Sequence, residues 1–349
     1  MGNKIKVGSK YIGREEPVYI IAEAGVNHNG DLRLAKQLVD AAKKSGVDAV
    51  KFQTYKTDDL VTSKAEMAAY QKKQLKDRTS QYELLKSLEL DFDDFVELKD
   101  HCDKKRIQFL STPHSPSAVD FLDPLLPVFK IASGDLTNLP FLELVASYDK
   151  PIIMSTGMGT LEEVEEAMST IRNKGNNQIV LLHCVTNYPA PLETLNLRAM
   201  LTLKDAFGVP VGFSDHTIGL AASIAAVSLG ACVIEKHFTL DKNLPGPDHK
   251  ASLEPRELAD LVRVLRSVKD ALGDGIKKPT EPEMEIRKVA RKSLVAKMDI
   301  QQGSTITEAM IEIKRPGIGI APKHLKNIIG KKASRDIEKD ELLAEAMFE

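Results

Sequence analysis

The chain has 349 residues, 42% of them hydrophobic and 28% charged, with a formal net charge of −2. This is the balance of an ordinary globular protein, and it lacks the basic excess of a nucleic-acid or anionic-membrane binder. No apolar run reaches the roughly 18–20 residues of a membrane span. Taken in chain order, the first stretch, "MGNKIKVGSKYIGREEP", shows no apolar core of a signal peptide, and position 6 is lysine where a myristoylation pattern needs Ser or Thr. Eight short β-rich apolar runs follow: 18–23, 48–53, 107–112, 128–133, 151–156, 179–184, 209–214 and 232–237. Continuous runs of this length suit strands buried on both faces of a parallel sheet. Amphipathic stretches separate them. "DLRLAKQLVDAAKKSG" places Leu34, Leu38, Ala41 and Ala42 on one face and stops at Gly46. "TLEEVEEAMSTIRNKG" opens with Thr160 and Glu163, the spacing of a capping box. Cys102, Cys184 and Cys232 are distant and odd in number, as expected of reduced thiols in a cytoplasmic protein rather than a disulfide framework or zinc site.

Eight βα units predict an α/β fold, a (β/α)₈ TIM barrel of the usual ~250 residues. A doubly wound sheet is the competitor, but the turn after the first run reads "EAGVNHNG", without the G-x-G-x-x-G of that fold. The predicted organisation is a barrel domain over 1–275, a polar, proline-bearing linker over 276–290, and a small mostly-β domain over 291–349.

In a barrel, chemistry gathers where strands end. The run ends here are polar: Glu23; Lys51 and Gln53; Ser111 and Thr112; Lys130, Ser133 and Asp135; Ser155; His183, Thr186 and Tyr188; Ser214, Asp215 and His216; Glu235, Lys236 and His237. Lys51 and Lys130 sit inside apolar strands, where an unpaired charge is costly. Either they hold an anionic substrate with the neighbouring hydroxyls, or they pair structurally with carboxylates such as Glu23 and Asp135. His216 and His237, after adjacent strands, either share one divalent ion, which would act as a Lewis acid on a carbonyl, or are satisfied structural residues. "DKNLPGPDHKAS" is a stiff loop aiming Asp248 at a polyol, or only a turn. "IKRPGIGI" near the end places two glycines beside Arg315, in the manner of an anion cradle.

The stretches "IAEAGVNHNGDL", "AVKFQTY", "FLSTPH", "FKIASGDLTNLP", "IIMSTGM", "LLHCVTNYPAP", "GFSDHTIG", "IEKHFTLD", "PGPDHKAS" and "IKRPGIGI" together resemble the sialic acid synthase family, which makes N-acylneuraminate or N,N′-diacetyllegionaminate. The resemblance spans nearly the whole chain. It implies a TIM barrel followed by a C-terminal antifreeze-like (SAF, β-clip) domain. The implied reaction condenses phosphoenolpyruvate with an open-chain N-acyl-mannosamine-type aldose, assisted by Mn²⁺ or Mg²⁺, releasing phosphate and a nine-carbon 2-keto acid. It implies phosphoenolpyruvate-binding positions at Lys51, Thr112, Lys130, Ser133, Ser155, Thr186 and Ser214, and metal ligands at His216 and His237. It implies a proton-handling carboxylate at Glu23 and sugar-side positions at Gln53, Asp135, Tyr188 and Asp248. Arg315 would be delivered into the partner's barrel in a homodimer that exchanges its SAF domains, so "IKRPGIGI" becomes a rigid bend presenting Arg315. The chain departs from some members at Asp135 (glutamate there) and Thr186 (asparagine there). Its segment 62–85 is more similar to members acting on 2,4-diacetamido-2,4,6-trideoxymannose. Neuraminate, legionaminate and pseudaminate products stay open, as do a 3-deoxy-octulosonate-type synthase and a glycan-binding protein.

Overall fold

The computed structural model describes residues 4–66 and 80–349, and the chain divides into two compact units, Met1–Gly273 and Asp274–Glu349. Most of the segment 62–85, residues 67–79, lies outside the described residues. In the first unit, eight strands run parallel: β1 (Tyr19–Gly25), β2 (Ala49–Thr54), β3 (Gln108–Pro113), β4 (Phe129–Ile131), β5 (Ile152–Ser155), β6 (Ile179–Cys184), β7 (Val211–Asp215) and β8 (Val233–His237). Their order is β3-β2-β1-β8-β7-β6-β5-β4. β1 is hydrogen-bonded to both β2 and β8, and β4 stands beside β3 at the seam, so the sheet closes into the predicted barrel. The fourth run is shorter than expected, because Ser133–Asp135 form a 3₁₀ turn in place of the end of the strand.

A helix follows each strand: α1 (Leu32–Ser45), α2 (Phe92–Lys105), α3 (Pro116–Leu122), α4 (Leu139–Ala146), α5 (Leu161–Asn173), α6 (Ala199–Phe207), α7 (Ala221–Ser228) and α8 (Pro255–Leu272). Local signals set their ends. The Asp31 side chain accepts from Arg33 N at the start of α1, and Gly46, at φ 81°, ends it in the left-handed conformation. Thr160 and Glu163 form the expected capping box of α5.

The period of two along each strand sorts side chains into two cores. Ile20, Val50, Phe52, Phe109, Phe129 and Ile234 face outward and pack with Leu38, Leu98, Leu142, Ile171 and Leu261 of the helices. Tyr19, Ile21, Ala49, Leu110, Ile153, Leu182 and Val233 face inward. They are joined from below by Ile5, Val7 and Ile12 of a hairpin in which Ile5–Val7 pairs antiparallel with Lys10–Ile12. Each such buried Val, Leu, Ile or Phe side chain contributes about 1.5–3 kcal/mol. Near the C-terminal strand ends the same inward positions become polar: Glu23, Lys51, Thr112, Lys130, Ser155, Ser214, Glu235 and His237.

In the second unit, the segment expected to be a linker contains a helix, α9 (Glu281–Ala290). Pro282 falls in its first turn, where the missing N–H costs nothing, and Thr280 with Glu283 forms a capping box, so these residues start a helix. Beyond it, β9 (Ser293–Ala296) and β10 (Ile311–Lys314) pair antiparallel, and isolated bridges such as Ile300–Ile337 and Ala333–Phe348 extend the β character. Leu294, Ile300, Ile306, Ile328 and Leu343 form this unit's own core. After β10 the chain bends, with Arg315 exposed. Ser293 Oγ pins the bend, donating to Pro316 O at 2.7 Å and accepting from Gly319 N at 2.9 Å. A Cβ on Gly317 would lie 2.5 Å from Arg291 Cβ, so this glycine serves close packing rather than an anion cradle. No described helix is long and apolar enough to cross a membrane.

Candidate active site

All the predicted site residues except Asp135, Asp248 and Arg315 line one cavity at the barrel mouth. Lys51 and Lys130 are buried at its base. Lys51 Nζ lies 2.7 Å from Glu23 Oε2 and donates to Thr112 Oγ1 at 3.0 Å. Lys130 Nζ donates to Ser155 Oγ at 2.7 Å and to the Ile131 carbonyl at 3.0 Å. Gln53 Nε2 donates to Glu23 Oε1 at 2.9 Å. Glu235 stands between the lysines, with Oε1 3.7 Å from Lys130 Nζ and Oε2 3.8 Å from Lys51 Nζ, and Ser214 Oγ donates to Oε1 at 3.1 Å. Carboxylates therefore accompany the lysines, but beside Glu23 the second is Glu235 and not the expected Asp135, which stands outside the cavity; hydroxyls of Thr112 and Ser155 share the same space. Burial drives the Glu23 carboxyl above its ordinary range, against the pull of Lys51. Glu235 is held below its ordinary range, because Lys130 and Lys51 outweigh the cost of its burial.

His216 and His237 also come together, their ring centroids 5.5 Å apart and their planes crossed at 71°. Both Nε2 atoms converge on Tyr188 Oη, at 2.7 and 3.1 Å. His216 Nδ1 donates to the Val185 carbonyl at 2.7 Å, which leaves Nε2 as the lone-pair nitrogen. Burial keeps both imidazoles neutral, lowering His216 to about 4 and His237 well below its ordinary value. Two neutral donors aimed at one point fit a divalent ion. His237 Nδ1, buried without a hydrogen-bond partner among the described residues, faces Asp248 Oδ2 at 3.6 Å, in the way an outer carboxylate orients a ligating imidazole. No group of three or more His, Cys, Asp or Glu side chains among the described residues could hold an ion. Any further ligands would be oxygens of water or substrate.

The remaining positions are placed as follows. Ser133 Oγ accepts from Gly157 N at 3.0 Å. A Cβ on Gly157 would lie 2.7 Å from Thr186 Cγ2 and 2.8 Å from Ser133 Oγ, so the glycine of "STGM" lets both line the wall. Asp135 is set back from the cavity, 3.9 Å from His114 Nδ1, its carboxyl raised by burial. Asp248 is buried behind His237, and burial followed by the Glu23 charge pushes it up to about 7. Arg315 lies in the second unit. Three lining residues with polar side chains had been given no role: His114, Cys184 and Glu235. Strand alternation contains the signal for each, since they stand two residues beyond Thr112, Leu182 and Val233. Burial, then Lys51 and Lys130, holds His114 neutral at about 4. Lys236, between Glu235 and His237, faces outward to Asp215 at 2.9 Å.

A barrel with this mouth, followed by a separate small β unit, places the molecule among barrel synthases. Residues 38–277 match the NeuB family and residues 291–349 match the SAF domain, and the chain belongs to the NeuB family. It is 51% identical over 329 residues to the N,N′-diacetyllegionaminic acid synthase of Campylobacter jejuni, covering 93% of this chain and 98% of that one. It is 47% identical over 343 residues to the enzyme of the same name from Legionella pneumophila, covering 97% and 96%. Among solved structures, the N-acetylneuraminic acid synthetase of Leptospira borgpetersenii, crystallised with citrate, aligns with a TM-score of 0.73 at 36% identity, over 82% of this chain and 95% of that one.

Proposed function

We propose that the chain condenses phosphoenolpyruvate with 2,4-diacetamido-2,4,6-trideoxymannose, forming N,N′-diacetyllegionaminate and phosphate. The observation that carries this reading is the convergence of Lys51 and Lys130, with their hydroxyl partners, beside two neutral imidazoles in one barrel mouth. The names of the two relatives above support the choice of sugar within the N-acyl-mannosamine class.

Lys51 and Lys130, with Thr112, Ser133, Ser155, Thr186 and Ser214, bind the phosphate and carboxylate of phosphoenolpyruvate by charge-assisted hydrogen bonds. Gln53 and Tyr188 face the sugar at the mouth, while Asp248 and Asp135, outside the cavity, act through His237 and His114. His216 and His237 would hold Mn²⁺ or Mg²⁺ through Nε2, and the ion would supply Lewis-acid activation of the aldehyde. Carbon 3 of phosphoenolpyruvate then forms the new bond to the aldehyde carbon. Water adds at carbon 2, and phosphate leaves with cleavage of its C–O bond. Glu23, its carboxyl raised by burial against the pull of Lys51, passes protons at the mouth. Fixed charge and alignment of the two reactants supply the acceleration.

The enzyme acts as a cytoplasmic homodimer. Residues 1–275 form the synthase domain and 276–290 the connector, and the SAF domain, 291–349, carries Arg315 to the partner's mouth. Exposed Ile313 and Ile318 flank Arg315, and exposed Met158, Leu192 and Ile218 lie on the loops after β5, β6 and β7. These apolar side chains on both surfaces support the exchange. A phosphate-release assay across N-acetylmannosamine, its 6-phosphate, the 2,4-diacetamido-6-deoxy sugars and arabinose 5-phosphate tests the whole reading. The highest kcat/KM is expected with 2,4-diacetamido-2,4,6-trideoxymannose. A preference for N-acetylmannosamine or a pseudaminate-type isomer overturns the sugar, and a preference for arabinose 5-phosphate makes the chain an octulosonate-type synthase. No turnover with any of them leaves a glycan-binding protein.

A further inference from the structure

Tyr188 reaches over the barrel mouth from the segment after β6. Its ring stacks on His216 with centroids 4.0 Å apart and meets His237 edge-on at 5.1 Å. The segment is tied to His216 on both sides of the tyrosine. The Val185 carbonyl accepts from His216 Nδ1, and Ala190 N donates to the His216 carbonyl at 2.9 Å. Because Nδ1 carries the hydrogen, His216 Nε2 has only its lone pair to offer, and at 2.7 Å that lone pair receives the phenol proton. His237 Nε2 is 3.1 Å from the same oxygen.

A cation held by this histidine pair needs those lone pairs. One nitrogen lone pair serves one partner, so the phenol proton and a cation compete for His216 Nε2. We propose that Tyr188 is a removable cap on the histidine pair: its hydroxyl satisfies the buried nitrogen while no cation is bound and must swing off Nε2 before one binds. The inference rests on the metal reading of His216 and His237. The cap keeps the buried His216 imidazole from carrying an unsatisfied acceptor, which would be costly. It also sets cation affinity below what the imidazoles alone would give, so that the oxygens of bound substrates are needed to complete tight binding.

Tyr188→Phe keeps the ring stack and removes only the hydroxyl. Mn²⁺ binding to the metal-stripped full-length protein is read from the electron paramagnetic resonance of free Mn²⁺, without substrates. Tyr188→Phe is expected to bind Mn²⁺ about three- to tenfold more tightly than wild type, the range of one lost competing hydrogen bond. Saturating Mn²⁺ is also expected to change the near-ultraviolet tyrosine absorbance of wild type but not of Tyr188→Phe; the chain has 7 Tyr and no Trp to obscure the signal. Equal Mn²⁺ affinity in the two proteins overturns the cap. Weaker affinity in Tyr188→Phe also overturns it, by making the phenol oxygen a ligand. A parallel titration of His237→Ala separates the underlying reading: wild-type affinity there removes the histidine pair as the cation site, whatever Tyr188→Phe does.

Discussion

Lys236 and Asp215 form a 2.9 Å ion pair on the outer face of the barrel sheet, one residue along each strand from Glu235 and Ser214, which face the cavity. Asp215 is fully engaged, accepting from Ser223 Oγ at 2.5 Å and Thr217 N at 2.8 Å, and Lys236 donates to the Thr217 carbonyl at 2.7 Å. Removing one partner of a buried pair leaves the other charge uncompensated. Lys236→Met is therefore expected to lower unfolding stability by about 3–5 kcal/mol, while KM for phosphoenolpyruvate stays within about twofold of wild type. Urea denaturation and initial rates measure the two effects separately. A raised KM at unchanged stability would place Lys236 in the site.

Lys51 should behave differently. It pairs with Glu23 inside the cavity, and its charge is assigned to substrate. Lys51→Met is expected to reduce kcat/KM for phosphoenolpyruvate by about 10–100-fold or more, the span of a lost charge-assisted hydrogen bond. It also strands Glu23. The double variant Lys51→Met/Glu23→Leu should regain most of the lost stability and none of the activity. Recovery of activity in the double variant would make the pair structural only.

Acid should loosen a staple between Thr57 and Glu89, which start and end two short helices in the segment joining β2 to α2. Glu89 Oε2 accepts from Thr57 N at 2.8 Å and Thr57 Oγ1 at 2.7 Å, and Lys86 and Lys56 lie beside the carboxylate. Burial works to raise this carboxyl, but the Thr57 donors and the two lysines prevail and hold it at about 2, against an ordinary 4.5. A depressed folded pKa gives stability that is complete above about pH 4.5 and is lost as pH falls toward 2. The stability difference between wild type and Glu89→Gln should be about 1–2 kcal/mol at pH 6 and shrink by pH 3.5. A difference that is flat with pH would show that the carboxylate charge contributes nothing there.

Mixed dimers test the exchange of SAF domains. If Arg315 serves the partner's barrel, Arg315→Ala chains mixed with His237→Ala chains should regain activity, because one hybrid mouth combines an intact barrel with an intact Arg315. Each variant alone should be nearly inactive. Hybrids that form, as judged by differently tagged chains, yet stay inactive would confine Arg315 to its own chain or to neither mouth.

The barrel was legible because strands buried on both faces leave continuous apolar runs, and the lysines and histidines were legible because each interrupts such a run or ends it. Applying the alternation strictly would have added His114 and Glu235 and sent Lys236 outward, since all three follow from the facing of Thr112 and Val233. Other features leave no period to read. The Ile5–Val7 and Lys10–Ile12 strands are too short to show alternation. The helix at Glu281–Ala290 is hidden by prolines that look like punctuation until Pro282 is placed in a first turn. The position of Tyr188 over two imidazoles depends on the path of an irregular segment, and that of Asp248 behind His237 on a loop folded back against β8. These are tertiary facts with no local signature.

The hairpin beneath the barrel has a kinetic consequence. Ile5, Val7 and Ile12 seal the tube at the end opposite the cavity, so both reactants share one doorway. The assigned phosphoenolpyruvate cradle lies at the base of that pocket, and the sugar-side residue Tyr188 lies over the histidine pair. A sugar seated first would obstruct its co-substrate, and inorganic phosphate would have to wait for the keto acid to leave. On these assignments, traffic through this mouth would be last in, first out.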